Sequence, residues 1–233
     1  MQYPVTIPAR YNGPPTSGNG GYSCGALAAL IEGPARVRLH VPPPLDTPLT
    51  VHTEDGAVRM YDGDTLVGSG EPVDYALDTP VAPSLAEAED AMSRYVAREN
   101  HFFETCFVCG PNRPAHDGLA LYPGPVRDWS LLACVWRPQA DLLDAGGKVR
   151  SEVMWAALDC PGYFAAMGDT LRPAVLGELE AQLNGPAVGG DPLVVYCWPL
   201  GSEGRKYFGG TAIATADGTV LASSRSTWIL LKS

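Results

Sequence analysis

Residues 17–33 read Ser-Gly-Asn-Gly-Gly-Tyr-Ser-Cys-Gly-Ala-Leu-Ala-Ala-Leu-Ile-Glu-Gly, and residues 150–168 form a second apolar stretch of similar kind. Each ends at a glycine, Gly33 or Gly168, which is typical of a helix stopped at its C-terminus. Short apolar segments follow each stretch, separated by Gly, Pro and Asp turns, as in hairpin-connected strands. One helix followed by a run of strands, twice over, predicts an α+β chain with antiparallel sheets.

The predicted strands divide the chain into two halves. In the first half they cover residues 36–41, 49–53, 57–62 and 65–70, and in the second half residues 119–122, 131–136, 175–183, 193–198, 207–215 and 220–231. Between the halves, Ser84-Leu-Ala-Glu87 matches a capping box and predicts a helix to about Glu99. We therefore expect one unit over residues 1–75, a helical linker over 76–100 and a second unit over 101–233.

The composition excludes several classes of protein. The 233 residues include 26 acidic and 16 basic side chains, a formal charge of −10, and 45% are hydrophobic. The apolar fraction is enough for a buried core, and the acidic balance argues against nucleic acid as a partner. The longest apolar stretches are shorter than the roughly 20 residues that a bilayer crossing needs, or contain an Asp. With no signal peptide recognisable at the start, we expect a cytoplasmic protein without a membrane span.

The six cysteines are irregularly spaced, and Cys106-Phe-Val-Cys109-Gly forms a C-x-x-C-G knuckle. A zinc site of this type needs a second ligand pair at similar spacing, and only His101 and His116 lie nearby in the sequence. We therefore expect Cys106 and Cys109 to form a structural turn, with no metal and no cofactor, and we expect reduced thiols in a chain without an export signal.

Several motifs resemble those of the hotdog superfamily in its fused double-hotdog form, as in acyl-CoA thioesterases. Asn19-Gly20-Gly21 is similar to the His-Gly-Gly found before the first helix of many hotdog thioesterases, with Asn in place of His. Asp159 stands where many phenylacetyl-CoA-type members carry a helix Asp. Residues 106–119 and the hairpin at 217–224 resemble further segments of the superfamily. Ser226 lies where thioesterase II enzymes carry a catalytic Gln, which is a departure.

The resemblance implies two antiparallel sheets, each wrapped around a central helix and paired edge to edge. It also implies hydrolysis of an acyl-CoA thioester, with acyl-CoA as the small-molecule partner. Two fused units already satisfy the pairing that a single hotdog needs, and a homo-oligomer of such double units stays open.

The catalytic candidates lie at the two helices. Pro161 should bend or end the second helix beside Asp159, where carbonyl ends raise the pKa of the carboxyl group. We expect Asp159 to activate water or to attack the thioester directly, with Glu152 assisting from the same helix face; a purely structural Asp is the alternative. Gly20 and Gly21 would let a thioester oxygen approach the backbone amides of the first helix as oxyanion donors. Asn19 either caps this helix or also donates to the oxyanion.

The binding candidates are two aromatic and four basic residues. Tyr22 and Trp155 could line an acyl pocket, although aromatic residues on helices more often belong to the core. An acidic protein that binds coenzyme A needs a local basic patch for the phosphates. Lys148 with Arg150, and Arg205 with Lys206, are the candidates for this patch, against the alternative that each is solvated surface.

Other functions remain open from the sequence. A hotdog that binds an acyl group without turnover is favoured by the missing His and Gln. Gly21-Tyr-Ser23-Cys-Gly25 matches the nucleophile elbow of α/β-hydrolases, but it does not follow an apolar strand, so a serine hydrolase is disfavoured. All four histidines fall outside the two helices, which disfavours a hotdog dehydratase.

Overall fold

The computed structural model describes residues 1–232, and within them the strands form one antiparallel sheet. The strands of the first half are β1 (Gln2–Val5), β2 (Ala35–Leu39), β3 (Leu49–Glu54), β4 (Ala57–Asp62) and β5 (Thr65–Pro72). Those of the second half are β6 (Gly124–Arg127), β7 (Leu131–Trp136), β8 (Ala174–Leu183), β9 (Leu193–Glu203), β10 (Lys206–Thr215) and β11 (Val220–Leu230). Their spatial order is β1-β3-β4-β5-β2-β8-β11-β10-β9-β7-β6.

The two sheets that the resemblance implies, paired edge to edge, are one sheet in the structure, because β2 pairs with β8 and makes the sheet continuous. Ala35 lies opposite Ala181, and the pairing extends to Arg38 opposite Glu178. Ion pairs reinforce this seam on one face: Arg36 contacts Glu180 at 2.6 Å and Arg38 contacts Glu178 at 2.6 Å. Pattern alone marks the strands but not which of them meet across the halves, since an edge strand and an inner strand share the same alternation.

The helices are α1 (Gly20–Ala28), α2 (Leu85–Met92), α3 (Ser151–Ala157) and α4 (Cys160–Met167). Helix α1 packs against β2 and β5, and α4 packs against β9 and β10. Helices α1 and α3 pack directly on each other. The two halves therefore meet through strands and also through helices.

Two glycines allow α1 and α3 to approach closely. A Cβ atom at Gly21 would lie 2.5 Å from the Cβ of Asp159 and 2.5 Å from the carbonyl oxygen of Trp155. A Cβ atom at Gly25 would lie 2.6 Å from the Cα of Glu152. Since real Cβ atoms do not approach this closely, glycine at both positions is what brings the start of α1 to the end of α3.

The predicted capping box is confirmed in α2. The hydroxyl of Ser84 accepts the backbone N–H of Glu87, and the Glu87 carboxylate accepts the backbone N–H of Ser84 at 2.8 Å. The helix ends at Met92 rather than near Glu99. Helix α2 covers the outer face of the second half, where Ala88 packs in a cluster with Ala133 and Tyr196. No helix within residues 1–232 has the length and apolar character that a bilayer crossing requires.

Most predicted strands are present, but residues 119–122 do not form one. Ala120 has a φ of 51°, which breaks the extended conformation. This segment runs beside the turn at Phe107 instead: the N–H of Leu119 donates to the carbonyl of Phe107 at 2.8 Å. The N–H of Phe107 in turn donates to the carbonyl of Asn12 at 2.8 Å, so this part of the second half packs on the first.

Candidate functional site

Asp159 lies at the break between α3 and α4. Its backbone, with φ −85° and ψ −84°, leaves the helical conformation, and Pro161 follows within the first turn of α4. The predicted bend beside Asp159 is thus confirmed, and the single predicted helix is two helices. Burial of Asp159 is nearly complete, with 1% of the residue exposed. A carboxyl group without a basic partner in such a place is unusual, because burial penalises its charged form.

The two oxygens of the Asp159 carboxylate have different surroundings. Oδ2 accepts hydrogen bonds from Nδ2 of Asn19 and from the backbone N–H of Gly21, both at 2.9 Å. Oδ1 is buried and has no hydrogen-bond partner among residues 1–232. Burial raises the pKa of Asp159 to about 7, and the hydrogen bonds from Gly21 and Asn19 oppose that rise. The expected direction of the shift is confirmed, and burial is the main cause rather than the carbonyl ends of α3.

Asn19 connects the start of α1 to this carboxylate. Its Oδ1 accepts the backbone N–H of Tyr22 at 2.9 Å, which makes it the N-cap of the helix. Its Nδ2 donates to Asp159 at the same time. The side chain therefore caps α1, as expected, and its amide group is directed to a carboxylate.

A cavity of about 330 Å³ opens beside Asp159, between elements of both halves. Its polar lining includes Asn19, Asp159 and His101. Most of the remaining wall is apolar, and among its members are Tyr163, Phe164, Leu171, Leu176, Trp228 and Ile229. A largely apolar cavity with a few convergent polar groups is the usual form of a small-molecule site.

The predicted catalytic residues separate into two groups. Asn19, Gly20 and Asp159 line the cavity, whereas Gly21 and Glu152 are not among the lining residues of the described chain. The amide of Gly21 is directed to Asp159 instead. Glu152 lies at the start of α3, where it forms an ion pair with Arg150 at 3.2 Å. The structure therefore brings Asn19 and Gly20 to Asp159 and leaves Glu152 at the opposite end of the helix.

The two aromatic candidates lie in the core. Tyr22 stacks on Tyr11 with ring centroids 3.9 Å apart. Trp155 is buried at the α1–α3 crossing, close to Gly25. Neither is among the residues that line the cavity within residues 1–232. Trp155 packs across the crossing, and Tyr22 packs on Tyr11 and Phe107.

The two basic pairs lie at different places. Arg150 precedes α3, where its Nη2 donates to the hydroxyl of Tyr11 at 2.8 Å, and Lys148 belongs to the turn before it. Lys206 lies directly opposite Ile229, a cavity residue, in the pairing of β10 with β11. Arg205 precedes Lys206, and its Nη1 donates to the carbonyl of Leu230 at 3.0 Å. Arg205 and Lys206 therefore lie beside β11, which contributes Trp228 and Ile229 to the cavity wall.

The nucleophile-elbow match is not an elbow in the structure. Ser23 lies inside α1 and is fully buried, and its hydroxyl donates to the carbonyl of Asn19 at 2.8 Å. An elbow serine must present a free Oγ at a strand-to-helix turn, so Ser23 does not meet the requirement.

The cavity wall also contains three cysteines and a histidine that the sequence did not assign to the site: Cys106, Cys109, Cys160 and His101. The C-x-x-C-G motif was the available signal for the first two. Cys160 could not be joined to them from spacing, because it is 54 residues from Cys106 and on another element.

No family model matches the sequence, and no curated protein matches it either. Solved structures do match over nearly the whole chain. The tesB protein of Mycobacterium avium subspecies paratuberculosis has a TM-score of 0.63 at 13% identity, with 99% of this chain and 93% of that one covered.

Two further structures are similar to the same extent. A provisionally assigned thioesterase from Novosphingobium aromaticivorans has a TM-score of 0.65 at 12% identity, covering 99% of this chain and 96% of its own. A protein of unknown function with a hotdog fold from Alicyclobacillus acidocaldarius has a TM-score of 0.60 at 13% identity, covering 100% and 94%. At these identities the likeness concerns the fold, and the chain has a hotdog fold.

Proposed function

We propose that this protein hydrolyses the thioester of an acyl-CoA, and that its two halves, residues 1–75 and 101–233, act as a double hotdog with one active site between them. The observation that carries the proposal is the Asp159 carboxylate, which lines an apolar cavity with one oxygen fixed by Asn19 and Gly21 and the other without a partner in the described chain. The name of one of the similar structures, the thioesterase from Novosphingobium aromaticivorans, supports the same chemistry.

Asp159 acts as the general base in this proposal. Its Oδ1 accepts a proton from a water molecule as the water oxygen attacks the thioester carbonyl carbon, and the C–S bond then breaks to release the thiolate. A carboxyl group with a pKa of about 7 is suited to proton transfer near neutral pH, since it is both ionised in part and basic enough to take the proton. The bonds to Oδ2 hold the group in one orientation.

The start of α1 supplies the oxyanion donor. Gly20 is the first residue of the helix, so its N–H has no acceptor within the helix, and it lines the cavity. The partial positive charge of the helix N-terminus adds to this donor. Because the N–H of Gly21 is directed to Asp159, the oxyanion role falls to Gly20.

The two ends of the substrate require different surfaces. The apolar wall around Leu176 and Trp228 suits an acyl group. Arg205 and Lys206 are the cations that we assign to the phosphates of coenzyme A, since Lys206 is paired with Ile229 of the cavity wall.

Thiol release from a panel of acyl-CoAs tests the proposal. We expect the wild-type protein to turn over at least one member, and Asp159→Asn to reduce kcat by about 10²- to 10⁴-fold, the range for loss of a general base. Asp169→Asn, at an exposed aspartate after α4, is the matched control and should keep the wild-type kcat.

Two outcomes would contradict hydrolysis with Asp159 as the general base. One is full activity in Asp159→Asn. The other is thermal stabilisation by acyl-CoAs without thiol release, which would assign the cavity to binding without turnover.

A further inference from the structure

Three buried cysteines converge at the wall of the cavity. The sulfur atoms of Cys106, Cys109 and Cys160 all lie within 4.8 Å of one another, and those of Cys106 and Cys160 are 3.7 Å apart. Sulfur atoms at the corners of a tetrahedral zinc site are about 3.8 Å apart, given a Zn–S bond of about 2.3 Å. The spacing of the three sulfurs is therefore close to what one metal ion requires.

The C-x-x-C-G turn is built to present its sulfurs together. The N–H of Gly110 donates to the carbonyl of Cys106 at 2.9 Å and closes the turn. A Cβ atom at Gly110 would lie 2.5 Å from the backbone nitrogen of Cys106, so the tight turn requires glycine.

Two side chains donate to the same sulfurs. Nδ2 of Asn19 lies 3.7 Å from the sulfur of Cys160 and 4.0 Å from that of Cys106. Nε2 of His101 lies 3.3 Å from the sulfur of Cys109. Since Nδ1 of His101 accepts the backbone N–H of Phe103 at 2.9 Å, the ring proton is on Nε2, and His101 donates to the sulfur. Such outer donors orient and stabilise metal-bound thiolates.

The charge balance explains why a cation completes the cluster. The thiol groups of Cys106, Cys109 and Cys160 are all buried, and zinc binds cysteine as the thiolate. A divalent cation offsets the repulsion between three thiolates, and the thiol protons leave when it binds.

We propose that Cys106, Cys109 and Cys160 bind a zinc ion through three thiolates, with the fourth coordination position facing the cavity. Thiolate ligands favour zinc over magnesium or calcium, and three protein ligands with one open position are typical of accessible zinc sites. Among residues 1–232, the group of possible ligand atoms within 4.8 Å of one another consists of these three sulfurs. The fourth position is therefore left to water or to a bound molecule. The proposal does not rest on thioester hydrolysis.

Zinc content and a cobalt spectrum test the site. We expect about one zinc ion per chain in reduced full-length protein purified with zinc, and loss of at least ninety per cent of it in Cys106→Ser, Cys109→Ser and Cys160→Ser. Cobalt(II) added to chelator-treated protein should give the sulfur-to-metal charge-transfer bands and intense visible bands of a tetrahedral thiolate site. Circular dichroism confirms that each variant is folded.

The chain provides its own controls in Cys134 and Cys197, which are buried but outside the cluster. Their serine variants should retain full zinc content and the cobalt spectrum. His101→Gln should retain the stoichiometry as well, because His101 is assigned as a donor to sulfur.

Three results would overturn the proposal. The first is reduced wild-type protein that binds neither zinc nor cobalt. The second is a cobalt spectrum without thiolate charge transfer. The third is zinc content that survives in folded Cys106→Ser and Cys160→Ser. A Cys106–Cys160 disulfide that forms in air, in protein whose reduced form binds no metal, belongs to the first result and would assign the cluster to redox chemistry.

Discussion

Asn19 and Asp159 are 140 residues apart in the chain and share a 2.9 Å hydrogen bond from Nδ2 to Oδ2. The same asparagine caps α1, so one side chain fixes both the start of a helix in the first half and a buried carboxylate in the second. A rearrangement of either half would therefore change the hydrogen bond between Asn19 and Asp159.

Asn19→Ser separates the two roles of Asn19. Serine is as good an N-cap as asparagine, so α1 should keep its start, but the donor to Asp159 is lost. Because that hydrogen bond lowers the pKa of Asp159, its loss should raise the pKa and move the half-maximum of kcat to higher pH. A lost bond to a charged group predicts a decrease in kcat of about tenfold to a hundredfold near neutral pH.

The measurement is a pH profile of kcat for both proteins. Asn184→Ser, at an asparagine after β8 outside the cavity, is the control and should leave the profile in place. An unshifted profile in Asn19→Ser would refute a positioning role for Asn19.

Stability should depend on the ionisation of Asp159. Its pKa is about 7 in the folded protein against a reference value of 3.8, so the folded state holds the proton more tightly. The favourable contribution is complete below pH 3.8 and is lost as pH rises towards 7, by on the order of 4 kcal/mol for a shift of this size. Above pH 7 the buried carboxylate is a cost that Asp159→Asn removes.

Urea unfolding from pH 4 to pH 8 checks this prediction, with chelator and reductant present so that metal binding does not contribute. The stability of wild type relative to Asp159→Asn should fall across this range. A relative stability that stays constant, or that rises with pH, would show that the folded pKa is not raised. Asp169→Asn again serves as the exposed control and should follow wild type.

Alanine at the helix crossing should destabilise the fold. A Cβ atom at Gly21 or at Gly25 meets backbone atoms of α3 within 2.6 Å, so α1 and α3 must move apart. Overpacking of this kind costs about 1–3 kcal/mol in the free energy of unfolding. Gly21→Ala should also displace Asp159, whose Cβ is one of the atoms it meets.

Denaturant unfolding measures both variants. Ala26→Ser, on a partly exposed position of α1, should change stability by less than about 0.5 kcal/mol. If Gly21→Ala and Gly25→Ala were as stable as wild type, the close approach of the two helices would be wrong.

The Arg205→Ala/Lys206→Ala double variant should raise KM for acyl-CoA by about three- to tenfold, the effect of two exposed phosphate contacts. The same acyl group on pantetheine, which lacks the nucleotide phosphates, should show no change in KM. That difference separates phosphate binding from a general disturbance of the cavity wall. The matched control is the double alanine variant of Arg59 and Arg137, two exposed arginines whose partners are Glu54 and Glu89. Equal effects on both substrates would contradict the assignment.

Local sequence signals predicted the elements well. The capping box at Ser84 starts a helix, and β4 covers the predicted residues 57–62. The Pro161 signal correctly placed a break beside Asp159. These features depend on residues close together in the chain, where turn chemistry and side-chain alternation act.

Long-range pairings were outside the reach of such signals. The contact between Gly21 and Asp159 spans 138 residues, and the pairing of β2 with β8 joins the two halves. The sequence suggested glycine at the start of α1 for access by a substrate, whereas Gly21 serves the approach of α3. For the same reason Cys160 could not be joined to the C-x-x-C turn, and Glu152 was placed with Asp159 from helix periodicity although the helix ends between them.

The pairing of β2 with β8 affects the risk of aggregation while the chain is being synthesised. Without the other, each of these strands is an edge strand with unpaired backbone N–H and C=O groups. Such an edge can pair with strands of other molecules. The first half emerges from the ribosome before β8 exists, so β2 stays unpaired on that side until residues 174–183 are made. The covalent link between the halves thus supplies the protecting strand from the same molecule, at a high local concentration, and disfavours aggregation.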